Sequence, residues 1–130
     1  MSIQTIITAD PDGQELVKQA ELLGNSLVRG NVTRSQMRSI FSEARQIEAS
    51  WGKRNTALRL SMLKPKLAYQ KARQNRDSEQ AFGGLVSDLS AGIDVVLDPK
   101  VSVEERDKRF TKLMNYFEAV LAYHRAAGGR

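Results

Sequence analysis

Apolar residues recur along this chain at the spacing of an α-helix, and that spacing limits its fold more than any other feature. At about 100° per residue, apolar side chains fall on one side of nearly every segment. One such stripe consists of Met37, Ile40, Phe41, Ala44, Ile47 and Trp51. Only residues 3–8 and 93–97 alternate like strands, and both segments are short. The pattern predicts an all-α fold, a single helical bundle of about five helices.

Capping signals predict the bounds of the first two helices. Asp12 is an acceptable N-cap, so the first helix is predicted to begin there and to end at Gly30. Thr33, with a glutamine three residues later, forms a capping-box pattern that is predicted to begin the second helix. Gly52 is predicted to end it, because glycine is the weakest helix former apart from proline.

A proline interrupts the next apolar segment. Because Pro65 has no N–H and restricts the backbone of the residue before it, we predict a break or kink there, between helices over 55–63 and 66–75. Ser78 is predicted to cap the following helix. Ser102, with a glutamate three residues later, is predicted to cap the last one.

Length and composition predict one domain in a reducing compartment. The 130 residues suit a single helical domain spanning 1–130, with residues 1–12 predicted to be flexible or loosely packed. The absence of cysteine excludes disulfides, thiolate catalysis and thiolate metal sites. The N-terminus has no secretory pattern, and no stretch approaches the roughly 18 apolar residues of a membrane span. We therefore expect a cytoplasmic protein that is neither exported nor inserted into a membrane.

The charges are segregated along the chain. Residues 53–76 contain eight cations and no carboxylate, namely Lys53, Arg54, Arg59, Lys64, Lys66, Lys71, Arg73 and Arg76. We call this set the cationic window. The net charge of the chain is +5, so the remainder is negative. With no carboxylate in the window, these eight like charges are predicted to be unpaired and to repel one another. Clustered cations bind polyanions by releasing counterions, so the cationic window predicts RNA or DNA binding. The alternative is a solvated helix face that keeps the protein soluble.

Two further features favour an anionic partner. Arg34, Arg38 and Arg45 fall within about 40° of one another on the second helix, at the rim of its apolar stripe. Tyr69 lies among the cations of the window, where an aromatic ring either stacks on a base or packs in the core. Tyr116 and Tyr123 are predicted to pack, with their hydroxyls at the rim of the core.

Residues suited to catalysis are sparse. His124 is the only histidine, so a histidine pair for a metal is excluded, and a lone histidine near a helix end is typical of a cap or a packing residue. Glu104, Glu105 and Asp107 are better explained as partners of a helix dipole than as a metal site. Gly83 and Gly84 lie in a helical stretch without a following Lys-Ser or Lys-Thr. The sequence predicts a protein that is not an enzyme and has no cofactor or metal.

Three motifs resemble a known family. Residues 33–41 (TRSQMRSIF), 63–73 (LKPKLAYQKAR) and 117–129 (FEAVLAYHRAAGG) are similar in order and spacing to the small subunit of the type III-A CRISPR interference (Csm) complex. The resemblance extends from about residue 15 to the end of the sequence, although 77–109 matches only in helical character. The second and third motifs are the more specific ones.

The resemblance implies an all-helical subunit without catalytic activity, acting in antiviral defence. In such complexes small subunits stack beside a filament of backbone subunits that holds the CRISPR RNA, and their basic face lines the groove for target RNA. Cleavage belongs to the backbone subunit, and second-messenger synthesis and DNA cutting to the large subunit. The implied partners are therefore guide RNA, single-stranded target RNA, the backbone and large subunits, and neighbouring copies of the chain, with no membrane.

The resemblance also assigns RNA-binding positions. Those that match its motifs are Arg34, Arg38, Lys64, Lys66, Tyr69, Arg73, His124 and Arg125. Lys53, Arg54, Arg59 and Arg76 lie outside the motifs and are candidates on charge alone. Two other functions remain open: a helix-turn-helix DNA regulator, which Pro65 disfavours, and a helical module that binds an acidic protein.

Overall fold

The computed structural model describes residues 2–130, and these form six helices. They are α1 Ile3–Thr8, α2 Gln14–Arg29, α3 Arg34–Ala49, α4 Thr56–Ala72, α5 Arg76–Val96 and α6 Val103–Ala126. The all-α prediction is confirmed, since residues 2–130 contain no strand. The two segments with a strand-like pattern are helical as well: residues 3–8 form α1, and residues 93–96 form the last turn of α5. None of the helices in 2–130 is long and apolar enough to span a bilayer.

Helix α1 packs into the core through one apolar side. Ile3, Ile6 and Ile7 are buried, and their spacing of three and four residues is helical. They lie against α5 at Gly92, where an added Cβ would come within 3.4 Å of Ile7 and 3.5 Å of Ile3. Residues 3–8 are therefore packed on the core, whereas the sequence predicted residues 1–12 to be flexible or loosely packed.

The start of α2 depends on a carboxylate that lies further from the helix than predicted. Asp10 accepts hydrogen bonds from the backbone N–H groups of Glu15 at 3.2 Å and Leu16 at 2.9 Å. Gly13 occupies the left-handed region with φ +74°, and this turn brings Asp10 over the helix end. The prediction that Asp12 caps this helix was wrong, because it assumed that the capping carboxylate is the one nearest in sequence to the first turn.

Of the other predicted helix bounds, three are confirmed and two are wrong. Gly30 is the C-cap of α2, as predicted. The Thr33 capping box is confirmed, and the side chain of Ser102 accepts the backbone N–H three residues later at 3.1 Å. Helix α3 ends earlier than Gly52, at Ala49. Ser78 is a buried residue inside α5; the cap is Asn75, whose side chain accepts the backbone N–H of Ser78 at 3.0 Å.

Helix α4 runs unbroken through Pro65, so of the predicted break or kink the break is wrong. The proline removes one hydrogen bond, the one to the carbonyl of Ser61. Both residues are exposed, so water can satisfy that carbonyl. Buried leucines before and after the proline, at positions 60, 63 and 67, hold both halves of α4 on the core. Tertiary packing thus outweighs the local cost of the proline.

Packing places α3 between α4 and α6. Helix α2 packs most extensively on α6, and α5 contacts both α4 and α6. At the crossing of α2 and α6, Gly24 lies so close to Tyr123 that an added Cβ would be 2.7 Å from the Cβ of that tyrosine. At the far end of α3, Trp51 stacks on Phe110 at 3.9 Å and donates its indole N–H to Asp107 at 2.8 Å.

Tyr116 is buried as predicted, and its hydroxyl donates to Asp88 at 2.7 Å; Tyr123 is half-buried. Burial raises the pKa of Asp88, and the hydrogen bond from Tyr116 offsets part of that rise. Burial also raises the pKa of Tyr116, and the charge of Asp88 adds to the effect. The pair therefore sits in a site that disfavours charge on either group.

The difference in melting temperature between the Asp88→Asn variant and wild type is expected to be more positive at about pH 7 than at about pH 3. With a raised folded-state pKa, the folded protein keeps the Asp88 proton at a pH at which the unfolded chain has lost it. Stability therefore falls as pH rises through that interval, and the asparagine removes this loss. Thermal melts across the pH range measure it. Asp12→Asn, at an exposed position, is the control; equal shifts at both pH values would contradict the prediction.

Candidate nucleic-acid interface

Helix α4 separates part of the cationic window into two rows. Its buried residues, Thr56, Leu60, Leu63 and Leu67, define the inward face. From that face, the helical step of about 100° places Arg59, Lys66 and Arg73 toward α3. The same step places Lys64 and Lys71 toward α5. The other three cations of the window, Lys53, Arg54 and Arg76, lie outside α4, in the loop before it and at the start of α5.

The row beside α3 is partly neutralised. Lys66 forms an ion pair with Glu43 at 2.9 Å, and Arg59 lies 3.7 Å from the same carboxylate. Glu43 has no basic partner on its own helix, which is why the sequence suggested unpaired cations. Its partners come from α4, a contact between helices that periodicity within one helix cannot show.

The row beside α5 contains a second pair. Lys64 Nζ lies 2.7 Å from Asp94, while the side chain of Lys71 extends across Gly83. The prediction of eight unpaired charges was therefore wrong for three residues. Such exposed pairs contribute only about 0–1 kcal/mol each and exchange partners readily. Five cations of the window have no carboxylate within 4 Å among residues 2–130: Lys53, Arg54, Lys71, Arg73 and Arg76.

Tyr69 lies outside the core. Its side chain is 62% exposed, and the guanidinium of Arg73 is 5.6 Å from its ring centroid. Of the two alternatives for this aromatic, packing in the core is therefore excluded. The ring points outward from α4, between α3 and solvent.

A second cationic surface forms where α3 meets α6. Its lining combines four arginines with an apolar floor, in a groove of about 340 Å³ that we call the arginine groove. The arginines are Arg34, Arg38, Arg45 and Arg125, and the floor includes Phe41 and Leu121. The sequence predicted the stripe on α3, but only the fold brings Arg125 beside it.

The four arginines differ in how far they are engaged. Arg45 pairs with Glu48 at 2.7 Å and Glu118 at 3.6 Å, and its hydrogen bond to Glu48 is the main reason that its pKa is raised. Arg34 donates to the carbonyl of Gly129 at 3.0 Å. Arg38 and Arg125 are exposed and have no side-chain hydrogen bond or carboxylate partner within residues 2–130. These two can accept an anion without losing a partner in the protein.

His124 is fully buried, so it cannot touch RNA directly as the motif match implied. Its Nε2 donates to the carbonyl of Val32 at 2.7 Å, and Gly129 packs against the ring. The prediction that this histidine packs is confirmed. Through Val32, it fixes the loop that leads into α3 and its arginines.

Residues after α6 also hold the start of α3 in place, which the sequence did not predict. The backbone N–H of Arg34 donates to the carbonyl of Arg130, while its side chain reaches Gly129. Both contacts are to backbone carbonyls, which side-chain patterns do not reveal. Within residues 2–130, no group of three His, Cys, Asp or Glu side chains is placed to hold a metal ion.

The fold and these surfaces define a small all-α protein with cations concentrated on two separate faces. A family model for Csm2 Type III-A matches residues 10–130. The chain belongs to this family, the small subunits of type III-A CRISPR (Csm) complexes, so the resemblance seen in the three motifs is confirmed. No curated protein and no solved structure matches the chain.

Proposed function

We propose that this protein is a non-catalytic small subunit that binds the phosphate backbone of RNA through the arginine groove. The observation that carries the proposal is the convergence of Arg38 and Arg125, exposed and without carboxylate partners, from two helices onto one groove. Guanidinium groups match phosphate in shape and charge and bind it in a bidentate manner. The apolar floor at Phe41 offers a surface for sugars or bases.

The groove suits RNA bound by shape and charge. Its lining contains arginines and one carboxylate, Glu118, which Arg45 already engages. It contains no asparagine or glutamine to read a base edge. Sequence recognition would then come from base pairing between guide and target RNA, and the protein would contact the backbone of the strand. In this arrangement copies of the chain stack beside the backbone subunit in antiviral defence.

The cationic window contributes further contacts in this proposal. Lys53, Arg54 and Arg76 lie outside α4, are exposed and are not held by protein carboxylates, so they are the better RNA contacts. Arg59, Lys64 and Lys66 contribute less, because each would exchange a carboxylate for a phosphate. Catalysis is assigned to the other subunits, since the one histidine is buried and engaged with Val32.

The test is a titration of the full chain with single-stranded RNA of about 20 nucleotides at several salt concentrations. The two to four arginine contacts of the groove should lower log K by about 0.7 for each phosphate neutralised, a slope of roughly 1.4–2.8, and contacts from the cationic window would add to that slope. The same mixtures with magnesium should return the RNA intact. A flat salt response would contradict backbone binding, and tighter binding to duplex DNA would favour a DNA regulator instead.

A further inference from the structure

The outward face of α4 is apolar. Leu58, Met62, Pro65 and Tyr69 follow one another at offsets of zero, four, seven and eleven residues, which places them within about 60° on one side of the helix. We call this row the α4 ridge. Leu58 is 60%, Met62 51% and Tyr69 62% exposed. Helix α4 thus has two apolar faces, and only one of them is buried in this chain.

An exposed apolar row of this kind is unusual on a surface helix, whose outward face is normally polar or charged. Three of the six large hydrophobic side chains exposed within residues 2–130 lie on the α4 ridge. Single exposed apolar residues need no explanation, but several in one row mark an interaction surface.

A groove runs beside the α4 ridge, between α3 and α4. It measures about 440 Å³ and is lined on the α4 side by Met62, Pro65 and Tyr69. On the α3 side the lining includes Ser39, a small residue that leaves the groove open. The α4 ridge and the groove beside it form an uneven surface into which the side chains of another helix can pack.

The edge of the α4 ridge that faces α3 is cationic. Arg59, Lys66 and Arg73 border the ridge on that side, whereas Ser61, Ala68 and Ala72 border it on the other. Within residues 2–130, one carboxylate, that of Glu43, pairs with cations of this edge, so three cations against one carboxylate leave it positive. The surface is therefore an apolar strip with one basic edge.

We propose that the α4 ridge docks an amphipathic helix of another protein subunit, whose apolar stripe is bordered by aspartates and glutamates. The partner's apolar stripe covers Leu58, Met62 and Tyr69 and fills the neighbouring groove, while its carboxylates meet the basic edge beside α3. This proposal rests on membership of the Csm complex and is independent of RNA binding in the arginine groove.

The same surface fits RNA poorly. Single-stranded RNA binds through aromatic platforms and centrally placed cations, whereas this face offers one aromatic, Tyr69, in a row with a leucine, a methionine and a proline. Its cations lie at one edge, and Lys66 points to a protein carboxylate. An amphipathic helix with acidic residues beside its apolar stripe would satisfy both the apolar ridge and its basic edge.

The first test identifies the occupant directly. Tyr69→p-benzoylphenylalanine, at an exposed position, is incorporated into the full chain, assembled with the other type III-A subunits and target RNA, irradiated and analysed by mass spectrometry. We expect a cross-link to an acidic amphipathic helical segment of a different subunit. A cross-link to RNA, a cross-link to a second copy of this chain, or no cross-link above background would each overturn the proposal.

The second test measures assembly with a matched control. Leu58→Ser with Met62→Ser removes two exposed apolar side chains from the α4 ridge, while Val17→Ser with Leu22→Ser removes two from α2. The ridge variant is expected to enter the assembled complex with an affinity lower by about tenfold or more, and the control with an affinity near that of wild type. Normal assembly of the ridge variant would refute the docking role.

RNA binding by the isolated chain separates the two proposals. The ridge variant should keep the salt-dependent RNA affinity of wild type, because the arginine groove lies on the other flank of α3. If it loses RNA affinity but still assembles, the ridge is an RNA surface and the docking proposal is wrong. If assembly fails while RNA binding is retained, the docking proposal is supported independently of the groove.

Discussion

Replacing Arg38 and Arg125 together with alanine is expected to weaken binding of single-stranded RNA by about tenfold or more and to lower the salt slope by about 1.4. Each arginine removed takes away one phosphate contact, and neither one has a side-chain hydrogen bond or ion pair in residues 2–130. The melting temperature should therefore stay close to that of wild type. Salt titrations of RNA binding and thermal melts, measured on the same preparations, check both parts.

A variant with the same change in net charge distinguishes the effect of the groove from the effect of overall charge. Lys100→Ala with Lys108→Ala removes two exposed cations that lie near the start of α6, away from the arginine groove. Its RNA affinity should fall only slightly. Equal loss in the two double variants would mean that RNA responds to overall charge, and the assignment of the groove would then fail. Arg34→Ala is a poorer probe, because it also removes the hydrogen bond to Gly129.

Gly24→Ala is expected to destabilise the fold by about 2 kcal/mol or more. The new methyl group would lie 2.7 Å from the Cβ of Tyr123 and 3.0 Å from the backbone nitrogen of His124. Backbone atoms cannot move aside as a flexible side-chain end can, so α2 and α6 must separate. This cost exceeds the roughly 0.5–1 kcal/mol that alanine gains over glycine inside a helix. Chemical denaturation of the purified variant measures the change.

Gly84→Ala, in contrast, is expected to stabilise the fold. Gly84 lies inside α5, and a methyl group there would meet only Leu23 Cδ1, at an ordinary contact distance of 3.5 Å. The helix should therefore gain about 0.5–1 kcal/mol. If both alanines stabilise, the close approach at Gly24 is not rigid; if both destabilise, glycine in these helices has a role other than packing.

The sequence predicted most accurately those features that depend on contacts within a single helix. The stripe on α3 is an example, since Met37, Ile40, Ala44 and Ile47 are all buried and Thr33 forms its capping box. Periodicity and capping involve residues within one or two turns of each other, so no knowledge of the fold is needed. The motifs likewise placed the family correctly, because they keep the order and spacing of that family.

The errors arose where distant segments meet. Pro65 was predicted to break or kink a helix, yet α4 continues through it, and burial of Leu63 and Leu67 holds the two halves on the core. Lys66 was predicted to be unpaired, yet α3 supplies Glu43. The arginine groove was predicted only in part. The sequence pattern places Arg38 in the stripe on α3, whereas Arg125 of α6 lies beside it only because of how the two helices pack.

The α4 ridge illustrates a limit of another kind. Leucine, methionine and tyrosine at helical spacing predict a buried stripe, and α4 carries two such stripes of similar character. The sequence alone does not say which of them the chain buries in its own core. The fold decides it, and the exposed stripe then becomes a candidate interface.

The pairing of α2 with α6 has a consequence for biosynthesis. As the chain leaves the ribosome, the apolar stripe of α2 emerges early, but its main partner ends only at Ala126. Until then α2 has no α6 against which to bury Leu16, Ala20 and Leu27, whereas α4 and α5 are adjacent in sequence and can associate at once. Completion of the bundle must therefore wait until α6 has been synthesised, and until then the apolar stripe of α2 lacks its main partner.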